Sequence, residues 1–225
     1  MAGNFNFKEF LEELKETEEV KTSVEHKKER EYFLIVTEGE KTEPIYFEYF
    51  KNQLPKNLLE TIDLVGEGAN TTTVVRRALE LKLKREKDPV KPNYNEVWAV
   101  FDRDSFPRDR VNEALELADQ NNINCGFTNQ AFELWYILHF QYLDAALHRD
   151  RYINILSEIL GQRYTKNNEG IVNIIMDRGN VRQAITFAQR LEEMHLGNQP
   201  VDCSPYTTIH HLVEKLLEYC IPEEK

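Results

Sequence analysis

Two apolar runs, FLIVT at 33–37 and VWAVF at 97–101, each stop abruptly on carboxylates: Glu38 with Gly39 in the first case, Asp102 and Asp104 in the second. Between and after them the chain alternates. A strand is expected at 32–37 and a helix at 43–54, where Pro44 suits the first helical turn. A second strand, TIDLV at 61–65, leads through GEGAN into a helix over 71–87 that Asp88–Pro89 ends. A third strand follows at 96–101, a helix at 109–121 and a short strand, INCGF, at 123–127. Strand–helix alternation of this length predicts an α/β fold, with a parallel sheet of about four strands covered by helices.

Beyond residue 128 helical periodicity takes over, with helices expected at 130–142, 150–160, 169–176, 180–195 and 208–220. At the other end, FKEFLEELKETEEV (7–20) has the 3–4 spacing of an amphipathic helix, and EHKKERE (25–31) reads as a solvated charged linker. The expected organisation is an N-terminal helix and linker over 1–30, an α/β core over 31–142, and a helical C-terminal part over 143–225.

The 225 residues are 41% apolar, enough for a sizeable core. No apolar run approaches the ~20 residues that cross a bilayer, so no membrane association is expected. The first residues, MAGNFNFKEFLEEL, do not read as a secretory leader, and three cysteines without metal-type spacing suit reduced thiols; a cytoplasmic setting is the expectation. A net charge of −11 argues against a dedicated nucleic-acid coat protein, since phosphate binding leans on Lys and Arg. It leaves a nucleic-acid enzyme open, because an acidic metal site and a locally basic surface coexist on one chain.

In an open parallel sheet, ligands gather beyond the carboxyl ends of the strands, where Glu38, Asp102 and Asp104 fall. Residues i and i+2 on an extended chain point the same way, ~6.6 Å apart. Carboxylates placed so closely repel, and burying one without a partner is costly. A hard divalent cation answers both problems, and Mg²⁺ (or Mn²⁺) needs only two or three carboxylates because it keeps several waters. Such a site suits phosphoryl transfer to water. Taken singly, a DxD is more often a loop or cap signal; here both acidic steps terminate apolar strands of one alternating pattern.

Other residues admit two readings. Lys41 either supplies charge to a phosphate or is an exposed residue ahead of a helix. Glu133, in FELWYILHF, either completes a metal cluster or complements a helix dipole, while the apolar residues around it read as core. His139 reads as a buried histidine with a structural hydrogen bond, and Asn129 as a cap or a polar site residue. The stretch RRALELKLKREK (76–87) sets six cations against two acids; it is a solvated helix face or a phosphate-tracking surface that begins with Arg76 and Arg77. Lys166, Arg178, Arg182 and His210 are further candidates for substrate contact.

The motifs TEGEKTEPIYFEYF, VFDRDSF, NQAFELWYILHF and PYTTIHHLVEKL, in that order over roughly 31–217, resemble the RloB-like family, whose core belongs to the Toprim superfamily. The resemblance implies that Glu38 takes the place of the Toprim glutamate and Asp102 and Asp104 that of its DxD, together binding Mg²⁺. The glutamate also serves such enzymes as general acid or base. It implies a nuclease acting on DNA or RNA, with water as nucleophile, in antiphage defence beside an ABC-type ATPase encoded alongside. A topoisomerase is not expected, because no tyrosine-nucleophile domain is attached. The alternative is a Toprim-like regulatory subunit that binds nucleic acid and controls its ATPase without cutting. Assembly into a homo-oligomer is compatible with either.

Overall fold

The computed structural model describes residues 31–39, 41–54, 62–66, 71–104, 106–166, 168 and 170–220. The helix expected at 7–20 and nearly all of the 25–31 linker lie outside them. Four strands, β1 (Phe33–Thr37), β2 (Ile62–Gly66), β3 (Glu96–Asp102) and β4 (Asn124–Thr128), form one parallel sheet in the order β2–β1–β3–β4. β1 and β3 therefore lie side by side at the centre, with Thr37 opposite Val100. Their carboxyl ends, carrying Glu38 and Asp102, come out at the same edge.

Side-chain alternation splits the core in two. Phe33 and Ile35 of β1, with Trp98 and Val100 of β3, face one apolar cluster. Against it pack α1 (Thr42–Gln53), α4 (Glu133–Leu138), α5 (Arg149–Leu160), α6 (Gly170–Arg178), α7 (Val181–Met194) and α8 (Ile209–Leu217). Leu34 and Val36, with Val97, Ala99 and Phe101, face the opposite way onto α2 (Thr71–Glu86) and α3 (Arg108–Gln120). The first cluster joins residues from the strand-rich part and the later helices in one continuous core.

The helix expected over 130–142 is confined to Glu133–Leu138. Gln130 takes a positive φ of 82° and the chain leaves the helix at His139, so the FELWYILHF apolar residues owe their burial to packing all round a six-residue helix. Trp135, Tyr136, Leu134 and Ile137 are fully buried. His139 is buried too, its Nε2 lying 3.2 Å from the Tyr46 hydroxyl, and burial pushes its pKa down to about 3.

Just beyond β4 a side chain helps to hold the turn that follows. Asn129 is wholly buried, and its Nδ2 donates to the carbonyls of Val201 and Cys203 around a short 3₁₀ turn, Pro200–Asp202. It thus fastens a loop instead of capping a helix. Among the described residues no helix is long and apolar enough to cross a membrane. Cys125, Cys203 and Cys220 are free, and burial pushes the thiols of Cys125 and Cys220 up to about 12, which leaves them un-ionised.

Candidate metal centre

The backbone brings the two strand ends into direct contact. The Glu38 amide donates to the Val100 carbonyl at 2.8 Å, and the Glu38 Oε2 accepts from the Asp102 amide at 3.1 Å. The Asp102 Oδ2 in turn accepts from the Phe132 amide at 2.9 Å, which ties it to the residue just ahead of Glu133. Glu133 is buried, with its Oε1 accepting from the Tyr164 hydroxyl at 3.0 Å and facing the Lys166 Nζ at 3.2 Å. Lys166, a candidate substrate contact, thus sits on an acid of this group.

A fourth acid, Glu43, joins this group. It lies in the first turn of α1 and is buried, only 6% exposed. Its carboxylate rests on the chain at Gly39: a Cβ there would fall 2.1 Å from the Glu43 Oε2. A side chain after Glu38 would therefore displace the Glu43 carboxylate from this position. Sequence reasoning passed Glu43 over because an acid beside Pro44 in a first turn has an ordinary explanation in the helix dipole. The signal available was the spacing TEGEKTE, in which a glycine precedes a helix whose first turn carries another acid.

The electrostatics follow from this crowding. Asp102 is half-buried by surface, but protein packs closely around its carboxyl, and loss of water holds its pKa well above the usual range. Repulsion from Glu43, Glu133 and Glu38 adds to that, while the Phe132 amide works against it. Burial raises Glu38 to about 7, opposed by the Asp102 amide and reinforced by Glu43. Burial likewise raises Glu43 to about 7, with Glu133 adding to the shift and Lys166 opposing it. Oxygen-only donors in this density suit a hard cation such as Mg²⁺ or Mn²⁺ rather than a soft one. The four acids lie within electrostatic reach of one another and offer oxygen donors, but no three of them bring an oxygen within 4.8 Å of one another as they stand.

Asp104 has a basic partner of its own. It takes a positive φ of 46° and pairs with the Arg149 guanidinium at the start of α5. The i, i+2 rule for an extended chain does not apply to it, because β3 ends at Asp102. Lys41 is exposed at the position before α1. Arg76 and Arg77 sit on α2 in ion pairs with Glu113 (3.4 Å) and Glu80 (2.9 Å), both partly open to solvent. Arg178 donates to the Leu160 and Ile159 carbonyls at the end of α5, and Arg182 is exposed on α7. His210 is buried beside Glu192, between α7 and α8.

Tyrosines wall the acidic group. Tyr136 donates to the Thr42 carbonyl at 3.1 Å, and Tyr152, buried with no hydrogen-bond partner for its hydroxyl, is raised to about 12 by burial and by the Asp102 charge. Compared with families of known proteins, residues 33–216 match the model for RloB-like protein. The chain belongs to the RloB-like family. That match covers both central strands, the four crowded acids and the helices that support Glu133, so the site lies wholly inside what defines this RloB-like protein. No curated protein and no solved structure matches the chain.

Proposed function

We propose that this RloB-like protein is a Mg²⁺-dependent nuclease of Toprim type that hydrolyses phosphodiester bonds in DNA or RNA. The observation that carries the reading is the convergence of Glu38, Glu43, Asp102 and Glu133 at the carboxyl edge of a parallel sheet, where burial and mutual repulsion oppose ionisation of Glu38, Glu43 and Asp102. Asp102, Glu38 and Glu43 would hold the ion, with Glu133 kept in place by Tyr164 and Lys166. When bound, the ion supplies charge neutralisation at the phosphate and makes water a better nucleophile. By family resemblance Glu38 would also serve as general acid or base toward the attacking water or the leaving oxygen. Lys41, exposed at the position before α1, would meet a phosphate oxygen. Family resemblance supports a cytoplasmic role in antiphage defence with an ABC-type ATPase as partner.

The test is cleavage of mixed single- and double-stranded DNA and RNA with Mg²⁺ or Mn²⁺. Products that appear only with the ion and vanish with EDTA are expected. A full absence of cleavage in the presence of the ATPase partner sinks the enzymatic reading.

One observation favours a second reading. The Asp104–Arg149 pair occupies an acid that Toprim chemistry would use, which suits a subunit that binds nucleic acid and regulates its ATPase without cutting. Arg149→Ala tests whether Asp104 is held away from the metal. If Asp104 is a ligand in waiting, freeing it lowers the Mg²⁺ concentration for half-maximal activity by about threefold, the size of a partly exposed ion pair. Titration of activity against Mg²⁺ reads this directly, and an unchanged midpoint removes Asp104 from the metal.

A further inference from the structure

Away from the strand ends, the last turn of α7 and the first turn of α8 bring Glu192, His210 and His211 together. One ligand atom from each lies within 4.8 Å of the other two. The Glu192 Oε2 stands 3.2 Å from the His210 Nε2 and 3.1 Å from the His211 Nε2. Bonds of about 2.0–2.1 Å to a tetrahedral ion put neighbouring ligand atoms about 3.3 Å apart, so these spacings already match one. Adjacent helical positions point about 100° apart, yet the two imidazoles are gathered close together, 4.0 Å between centroids and tilted by 37°.

The burial is graded. His210 is 0% exposed, Glu192 33% and His211 48%, so one side opens to solvent and leaves room for water as a further ligand. Neither ring nitrogen of His210 makes a hydrogen bond of proper geometry, although the side chain is wholly buried. An orphaned buried imidazole aimed at a carboxylate and a second imidazole is costly unless something accepts its lone pair. The Tyr206 hydroxyl, 3.4 Å from the Glu192 Oε1, is placed as the outer partner that orients a ligating carboxylate.

We propose that Glu192, His210 and His211 form a binding site for a zinc-class divalent transition-metal ion that clasps α7 to α8. Two imidazoles and a carboxylate suit zinc, nickel or copper and disfavour Mg²⁺, so this site and the acidic one sort their ions by donor type. The proposal does not depend on the nuclease reading.

The full chain, stripped with EDTA and freed of any affinity tag, is titrated with Zn²⁺ in excess Mg²⁺ and, separately, with Co²⁺ followed by visible absorption. One ion per chain, intense cobalt bands of a tetrahedral site, and a zinc-induced rise in Tm of at least about 3 °C are expected. His211→Ala and Glu192→Gln, both at partly exposed positions, should each weaken binding at least about tenfold, while Asp102→Asn binds as the parent does. Absence of saturable zinc binding overturns the proposal. So does binding that survives both substitutions, or binding lost in Asp102→Asn, which would place the ion among the acids of the strand ends. Circular dichroism of the metal-free variants separates lost ligands from lost folding.

Discussion

Asp102→Asn is expected to abolish metal-dependent cleavage, by about 10³-fold or more, while making the metal-free protein more stable. The two effects have one origin. Asp102 adds a negative charge to a group that already holds Glu38, Glu43 and Glu133, and its ionised form is disfavoured there. Asparagine keeps an oxygen that accepts from the Phe132 amide but has no carboxyl whose ionisation burial opposes, so that penalty disappears and Tm rises by roughly 2–4 °C, the response of a chain this size to about 1 kcal/mol. The same change deletes a metal ligand, and losses of 10²–10³ are typical even for a single oriented dipole at a reacting phosphate or carbonyl. Asp102→Ala behaves differently: the Phe132 amide loses its acceptor, at a cost of about 1 kcal/mol or more. Activity falls in both variants, but stability separates them. Cleavage by Asp102→Asn at the parental rate would remove this carboxylate from the chemistry.

A second large effect concerns pH. Glu38 and Glu43 titrate at about 7 in the folded chain, against 4.5 for the free side chain. Between those values the folded protein holds protons that the unfolded chain has already released, so stability falls as pH rises through the interval and levels off above about 7. For buried Glu43 alone the loss amounts to up to about 3 kcal/mol. A divalent ion reverses the balance by competing with those protons and compensating the charges they leave behind. Calorimetry from pH 5 to pH 8 should therefore show the EDTA-treated protein losing Tm, and the rise induced by Mg²⁺ growing over the same range. Glu43→Gln should flatten both curves. A Mg²⁺ effect that is constant with pH would mean that the ion does not meet these carboxyls.

The strands and most helices could be read from the chain because their physics is local. β1 and β3 are unbroken apolar runs, and α5 and α7 show helical spacing with polar caps at His148 and Asn180. α4 was overextended at both ends because a stretch apolar on every side carries no phase to mark where a helix stops. Among the acids, Glu38 and Asp102 announce themselves at strand ends, whereas Glu43 is hidden by a plausible role in its own helix turn. The partners Arg149 for Asp104 and Lys166 for Glu133 come from 45 and 33 positions away. Periodicity holds no record of such pairings. Nor does it record that Arg178 is committed to the α5 carbonyls, since any arginine at a helix end looks available.

The segment around Thr207 has a consequence for how copies of this protein could meet. Thr207 bridges Thr128 in antiparallel fashion, the Thr208 amide donates to the Phe127 carbonyl at 2.8 Å, and the Asn129 amide donates to the Tyr206 carbonyl at 2.9 Å. The outer border of β4 is thereby occupied by the chain's own later residues. Unpaired ladder groups on that flank would otherwise template association with a neighbouring molecule. Runaway sheet-to-sheet polymerisation is blocked on the β4 side, and any self-association there must use side-chain surfaces instead of shared backbone hydrogen bonds.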